Sequence, residues 1–299
     1  MTQLMKIIIG YDGSECADNA VDDLLNAGLP AKAEALVVSV AEQLMPIPAS
    51  YGMVETDFTD NIIGGSGGAL SHVKQGAKKI QTKFPEWVVT TDVGFGSPAS
   101  FILKKAEEWK PDLIVVGSHG RSALGRMIIG SVSQKLVHNA TASVRVARPR
   151  AERQGSGVRL IVGIDGSPDS EEAAREIILR QWPEGSEVRL INASWAYSPA
   201  LSNTTLQPIS QWLADEKSRI GSIIGNAENK MKDAGLKTEM VIKEGEAKQV
   251  LLEEAENWKA DCIFVGASGM GKVERLMLGS VSSAIAARAD CSVEVVRRA

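Results

Sequence analysis

The chain has 299 residues, enough for about two domains at the usual ~100–200 residues each. Its 44% hydrophobic and 23% charged residues, with a mean hydropathy of -0.05, exclude a mainly disordered chain and permit a core in each half. A net charge of -4 and a pI near 5.6 argue against a general nucleic-acid binder, and the absence of an apolar run of ~18 residues argues against a membrane span.

In chain order, MKIIIG at 5–10 is a short Ile-rich run that ends in Tyr11-Asp12-Gly13. It predicts a strand and a tight turn rather than a signal peptide. Ser14 suits the N-cap of a helix whose apolar face carries Ala17, Val21, Leu24 and Leu25. Residues 35–41 predict a second buried strand. Residues 43–68, with Pro46, Pro48 and GGSGG at 64–68, predict a long irregular segment. A helix follows over 71–83 and a third strand over 87–93. Pro98 suits the first turn of a helix with Phe101, Ile102, Ala106 and Trp109 on one face. DLIVVG at 112–117 is continuously apolar, the pattern of a strand covered on both faces in a parallel sheet. A last helix from Ser131 to about Asn139 leads to SVRVAR at 143–148, whose alternation predicts an edge strand with one open side.

The chain then repeats itself. KIIIGYDGS at 6–14 returns as RLIVGIDGS at 159–167, and KAEEWKPDLIVVGSHG at 105–120 as EAENWKADCIFVGASG at 254–269. Between the copies, ARPRAERQGSG at 147–157 has linker chemistry. The expected division is a first domain over 1–148, a linker over 149–157 and a second domain over 158–299. Alternating strands and helices predict two tandem doubly wound α/β domains, each a five-stranded parallel sheet flanked by helices. Ligands in such domains sit outside the carboxyl ends of the strands.

Those ends carry a motif in both copies. GSHGRSALGRMIIGS at 117–131 and GASGMGKVERLMLGS at 266–280 both fit G-x2-G-x9-G-[ST]. The first two glycines let backbone turn tightly and approach a ligand. The last pair opens a helix whose N–H groups and positive dipole end attract phosphate. The first and fourth strands of a doubly wound sheet are neighbours, so the turns bearing Asp12 and Asp165 should face the glycine loops. An Asp there suits a ribose hydroxyl or Mg2+, and it equally suits a turn or helix cap.

The combination of V-G-x-D-G-S with this glycine motif resembles the ATP-binding subclass of the universal stress proteins, UspA-like, over nearly the whole chain. The resemblance implies an adenine nucleotide alpha-hydrolase-like fold and an ATP-binding stress-response protein with one nucleotide per domain. The implied contacts in the first copy are Asp12, Val40, Val116, Gly117, Gly120, Gly130, Ser131 and Val132. In the second they are Asp165, Ala193, Val265, Gly266, Gly269, Gly279, Ser280 and Val281. Mg2+ would lie near Asp12 and Asp165. The nucleotide would serve as a sensor or switch; the alternative is a slow ATPase or a nucleotidyl-transfer enzyme. The resemblance also implies pairing of the two halves through their fifth strands and a homodimer of the chain.

Other residues read as accessory. Arg121, Arg126, Lys272 and Arg275 are within reach of phosphates or are solvated loop charges. His119 is replaced by Ser268 in the second copy, which argues against an essential catalytic role. Cys16, Cys262 and Cys291 form no CxxC pair and read as reduced thiols of a cytoplasmic protein. No nucleic-acid or membrane partner is expected.

Overall fold

The computed structural model describes residues 4–41, 56–120, 129–149, 157–194, 207–269 and 278–298. The chain forms two compact units, one of residues 1–25 and 30–148, the other of 26–29 and 149–299. Most of the expected linker lies outside the described residues.

In the first unit β1 (Met5–Gly10), β2 (Ala33–Ala41), β3 (Val88–Phe95), β4 (Leu113–Gly117) and β5 (Ser143–Ala147) alternate with α1 (Glu15–Asp23), α2 (Thr56–Lys83), α3 (Pro98–Trp109) and α4 (Ser131–Asn139). The strand order is β3-β2-β1-β4-β5, and every neighbouring pair is parallel. In the second unit β6 (Arg159–Gly163), β7 (Glu187–Ser194), β8 (Lys237–Glu244), β9 (Cys262–Gly266) and β10 (Ser292–Val296) alternate with α5 (Pro168–Leu179), α6 (Gln207–Asp233), α7 (Ala247–Trp258) and α8 (Ser280–Arg288). Their order is β8-β7-β6-β9-β10, again parallel. The doubly wound α/β architecture expected from the alternation is borne out in both units. The order reverses beside β1 and beside β6, so a crevice opens at the carboxyl ends of β1 and β4, and of β6 and β9.

Burial explains the strand compositions. Ile7, Ile8 and Ile9 of β1 and Leu113, Ile114 and Val115 of β4 are fully buried, as a sheet covered on both faces requires. In the second unit Leu160, Val162, Leu190, Phe264 and Val296 share one core with Ala173, Ala174 and Ile177 of α5 and with Ile224 and Met231 of α6.

One expectation is corrected. Residues 56–68 are not irregular, because α2 starts at Thr56 and runs through the glycine cluster. Glycine weakens a helix by only ~1 kcal/mol relative to alanine, and no proline falls inside α2 to remove a hydrogen bond. The remainder of 43–68 lies outside the described residues. The fifth strands stand at the end of their units' strand orders, as the alternation predicts, and every residue of β5 and β10 is buried. Their polar residues are accommodated by ion pairs, Arg145 with Asp23 of α1 at 2.6 Å and Glu294 with Arg180. A buried charge is tolerated when it is paired.

Candidate functional site

The site grows from two turns and one helix start in each unit. After β1, Asp12 Oδ1 accepts the Ser14 N–H at 3.0 Å, Gly13 takes a left-handed φ of 77°, and Ser14 caps α1 by accepting the Ala17 N–H at 3.2 Å. After β6 the same turn recurs. Asp165 Oδ1 accepts the Ser167 N–H at 2.9 Å, Gly166 has φ 80°, and Ser167 caps α5 through the Ser170 N–H at 3.2 Å. A positive φ at this position is open to glycine and costly for β-carbon residues, which explains the D-G-S in both copies.

The glycine loops meet these turns. A Cβ placed on Gly120 would stand 3.1 Å from Asp12 Oδ2, and one on Gly269 would stand 2.7 Å from Asp165 Oδ2. The loop returns to its start through hydrogen bonds from the Gly130 N–H to the Ser118 carbonyl and from the Gly279 N–H to the Ala267 carbonyl, both 2.7 Å. Buried Ser133 and Ser282 lock the turn from beneath, donating to the Gly117 carbonyl at 2.6 Å and to the Ala267 carbonyl at 2.9 Å. Neither serine was a sequence candidate, although GSVS at 130–133 recurs at 279–282 and carried the signal.

α4 and α8 begin differently from α1 and α5. Their N-caps are Gly130 and Gly279, with no side-chain cap and no acidic residue in the first turn, whereas α1 carries Glu15 and Asp18 there and α5 carries Asp169 and Glu171. The first intrahelical bonds are those of the Gln134 N–H to Gly130 and the Ser283 N–H to Gly279. The N–H groups of Ser131, Val132 and Ser133, and of Ser280, Val281 and Ser282, precede them. A helix start without its own carboxylate keeps its positive end for another anion.

In the second unit these parts enclose a cavity of about 270 Å³. All eight residues expected there, Asp165, Ala193, Val265, Gly266, Gly269, Gly279, Ser280 and Val281, line it. Ile164, Ile191 and Leu251 add an apolar wall, and Ser268 and Ser282 add hydroxyls. The size is just under the ~300–1,000 Å³ usual for ligand clefts. Asn192 donates to the Ile164 carbonyl at 2.7 Å and holds β7 against the turn after β6.

In the first unit Asp12, Gly117, Gly120 and Gly130 are drawn together as described, with Ser131 and Val132 at the start of α4. Val116 packs under Gly10, where a Cβ would lie 2.9 Å from its side chain. Val40 stands in β2, two residues past Val38, whose carbonyl accepts the Tyr11 N–H at 2.8 Å. Arg121, Arg126, Lys272 and Arg275 lie outside the described residues. His119 donates to or accepts from Ser118 Oγ at 3.1 Å, and burial, then the charge of Arg148, hold its imidazole below its ordinary pKa. Among the described residues no cluster of three or more His, Cys, Asp or Glu side chains is placed to hold a metal, and no helix is long and apolar enough to cross a membrane.

The sequence pattern of the universal stress protein family matches residues 4–148 and again residues 158–297. The chain belongs to the universal stress protein family. A universal stress protein of Mycobacterium tuberculosis is 25% identical over 305 residues, 98% of this chain and 97% of its own. One of Mycolicibacterium smegmatis is 30% identical over 198 residues, 62% of this chain and 61% of its own. The crystal structure of a universal stress protein from Archaeoglobus fulgidus superposes with a TM-score of 0.64 at 21% identity, over 98% of this chain and 96% of that one, a likeness of fold.

Proposed function

We propose that this universal stress protein binds one adenine nucleotide, ATP with Mg2+, in each unit and acts as a nucleotide-dependent sensor or switch. The observation that carries the reading is the gathering of eight motif residues, from Asp165 to Val281, around one cavity at the start of an uncapped helix. Ile164, Ile191 and Leu251 offer an apolar wall to a flat base. The glycines leave room for phosphate oxygens, and the N–H groups opening α8 donate to them. Asp165, with Asp12 as its counterpart, would accept from a ribose hydroxyl or share Mg2+ with the phosphates. The bound ion would supply charge neutralisation at those oxygens. The choice of adenine comes from the family resemblance.

Binding biases the loop states that contact the ligand, which is the physical content of a switch. Pairing of the halves through their fifth strands and a homodimer of the full chain belong to the same proposal, and sedimentation with and without Mg-ATP tests the latter.

The decisive experiment is to denature the purified protein, assay the released nucleotide, and titrate the apoprotein with Mg-ATP against Mg-GTP. Two equivalents of ATP are expected. Gly130→Asp and Gly279→Asp should each remove one, because a carboxylate at the helix start repels phosphate. Absence of released nucleotide together with absence of binding in the titration overturns the reading. Stoichiometric ADP with many turnovers would favour the enzymatic alternative.

A further inference from the structure

The two glycine loops are held by different chemistry. Asp169, in the first turn of α5, is only 7% exposed. Its Oδ2 accepts the Ser268 N–H at 3.0 Å and also the Ser268 hydroxyl. Its Oδ1 accepts Arg298 Nε at 2.5 Å. One carboxylate thus ties the start of α5 to the head of the glycine loop and to the chain just after β10. Ser268 lines the cavity and precedes Gly269, the glycine that meets Asp165.

The first unit has Cys16, His119 and Pro149 at the corresponding places. A thiol is a weak hydrogen-bonding group, and proline has neither a cation nor an N–H. His119 turns to its neighbour Ser118, and its buried Nε2 has no hydrogen-bond partner. The three-way tie therefore exists in one copy of the motif and has no chemical equivalent in the other.

We infer that the two nucleotide sites are unequal, with the Asp169–Ser268–Arg298 tie making the second unit the tighter one. The inference rests on the nucleotide reading above. A loop head already held in place loses less freedom when ligand arrives. Arg298 has a second effect, because it pairs with a buried carboxylate that bonds Ser268 on the wall of a site meant for phosphates. Arg297 also faces Asp169, and its guanidinium is pushed down by burial and up by that carboxylate. Arg298 is thus a positioning residue that acts through Asp169 and Ser268.

The test uses the full chain with one site blocked at a time. With Gly130→Asp the titration reads the second unit, and with Gly279→Asp it reads the first. Mg-ATP should bind the second unit at least about fivefold more tightly. Arg298→Ala should weaken it there by about tenfold, the size of one charge-assisted hydrogen bond. Arg298→Lys keeps the charge and should stay within about threefold. Adenosine has no phosphates, so its affinity should change by less than about twofold. A merely structural role would weaken ATP and adenosine alike, and a melting curve for each variant checks folding. Equal sites, an unchanged ATP affinity in Arg298→Ala, or equal losses for ATP and adenosine would each overturn the inference. Failure of the wild-type chain to bind any nucleotide would instead bring down the nucleotide reading itself and this inference with it.

Discussion

Gly266→Ala should destabilise the second unit by about 2 kcal/mol, and the structure shows where that figure comes from. A Cβ at Gly266 would stand 2.5 Å from the carbonyl carbon of Asp169 and 2.7 Å from the Ser170 nitrogen. Carbon atoms at rest sit ~3.5–4.0 Å apart, so the first turn of α5 must retreat by about 1 Å. Both obstructing atoms are backbone, so no side chain can swing aside. Overpacking of this kind costs ~1–3 kcal/mol. The retreat also pulls on the Ser167 cap and the Asp169–Ser268 bonds, with a cap worth ~1 kcal/mol. Lower chain entropy in the unfolded state returns ~0.4–1 kcal/mol. Hydrogen exchange of peptides from α5 and β9, with urea unfolding as a second probe, reads the loss. Gly221→Ala is the control: it lies inside α6 with nothing within 4 Å of its added Cβ, and it should stabilise by ~0.5–1 kcal/mol. Wild-type stability in Gly266→Ala, or an equal loss in Gly221→Ala, would refute close backbone approach as the cause.

Two further predictions concern pH. Burial pushes the Asp18 carboxyl up, but hydrogen bonds from Lys79 and Tyr11 and the Lys79 charge outweigh it, so its pKa falls below the usual 3.8. Its stabilisation is complete above that value and is lost as pH drops through the depressed folded one. Urea midpoints from pH 6 to 3 should show a shallower acid limb in Lys79→Met. His119 favours its neutral form in the folded state, so it opposes folding once pH falls below about 6.5, where the unfolded imidazole begins to take up a proton. Melting temperatures from pH 7.5 to 5 should fall less in His119→Gln than in the wild type.

How much was legible from sequence depends on distance along the chain. The parallel sheets were readable because DLIVVG and its counterpart are continuous apolar runs, a pattern that needs both faces covered. The helix through 56–68 was not, because local composition there is glycine-rich. The buried Ala69, Val73 and Ile80 further along α2 anchor a helix that propagates one hydrogen bond per added residue. The burial of β5 was also illegible: Arg145 is matched by Asp23, which lies more than a hundred residues earlier.

The sequence by itself determined that one domain is written twice, that each copy is doubly wound, and which glycines stand at the strand and helix ends. Spacing and periodicity are local properties, and backbone geometry follows from them directly. Only the tertiary structure decided that the eight motif residues of the second copy share a cavity, that Ser133 and Ser282 brace the loops, and that Asp169 joins Ser268 to Arg298. Those pairings form between segments that meet only when the strands assemble in their final order. Their strength comes from burial, which no single segment possesses before the sheet has formed.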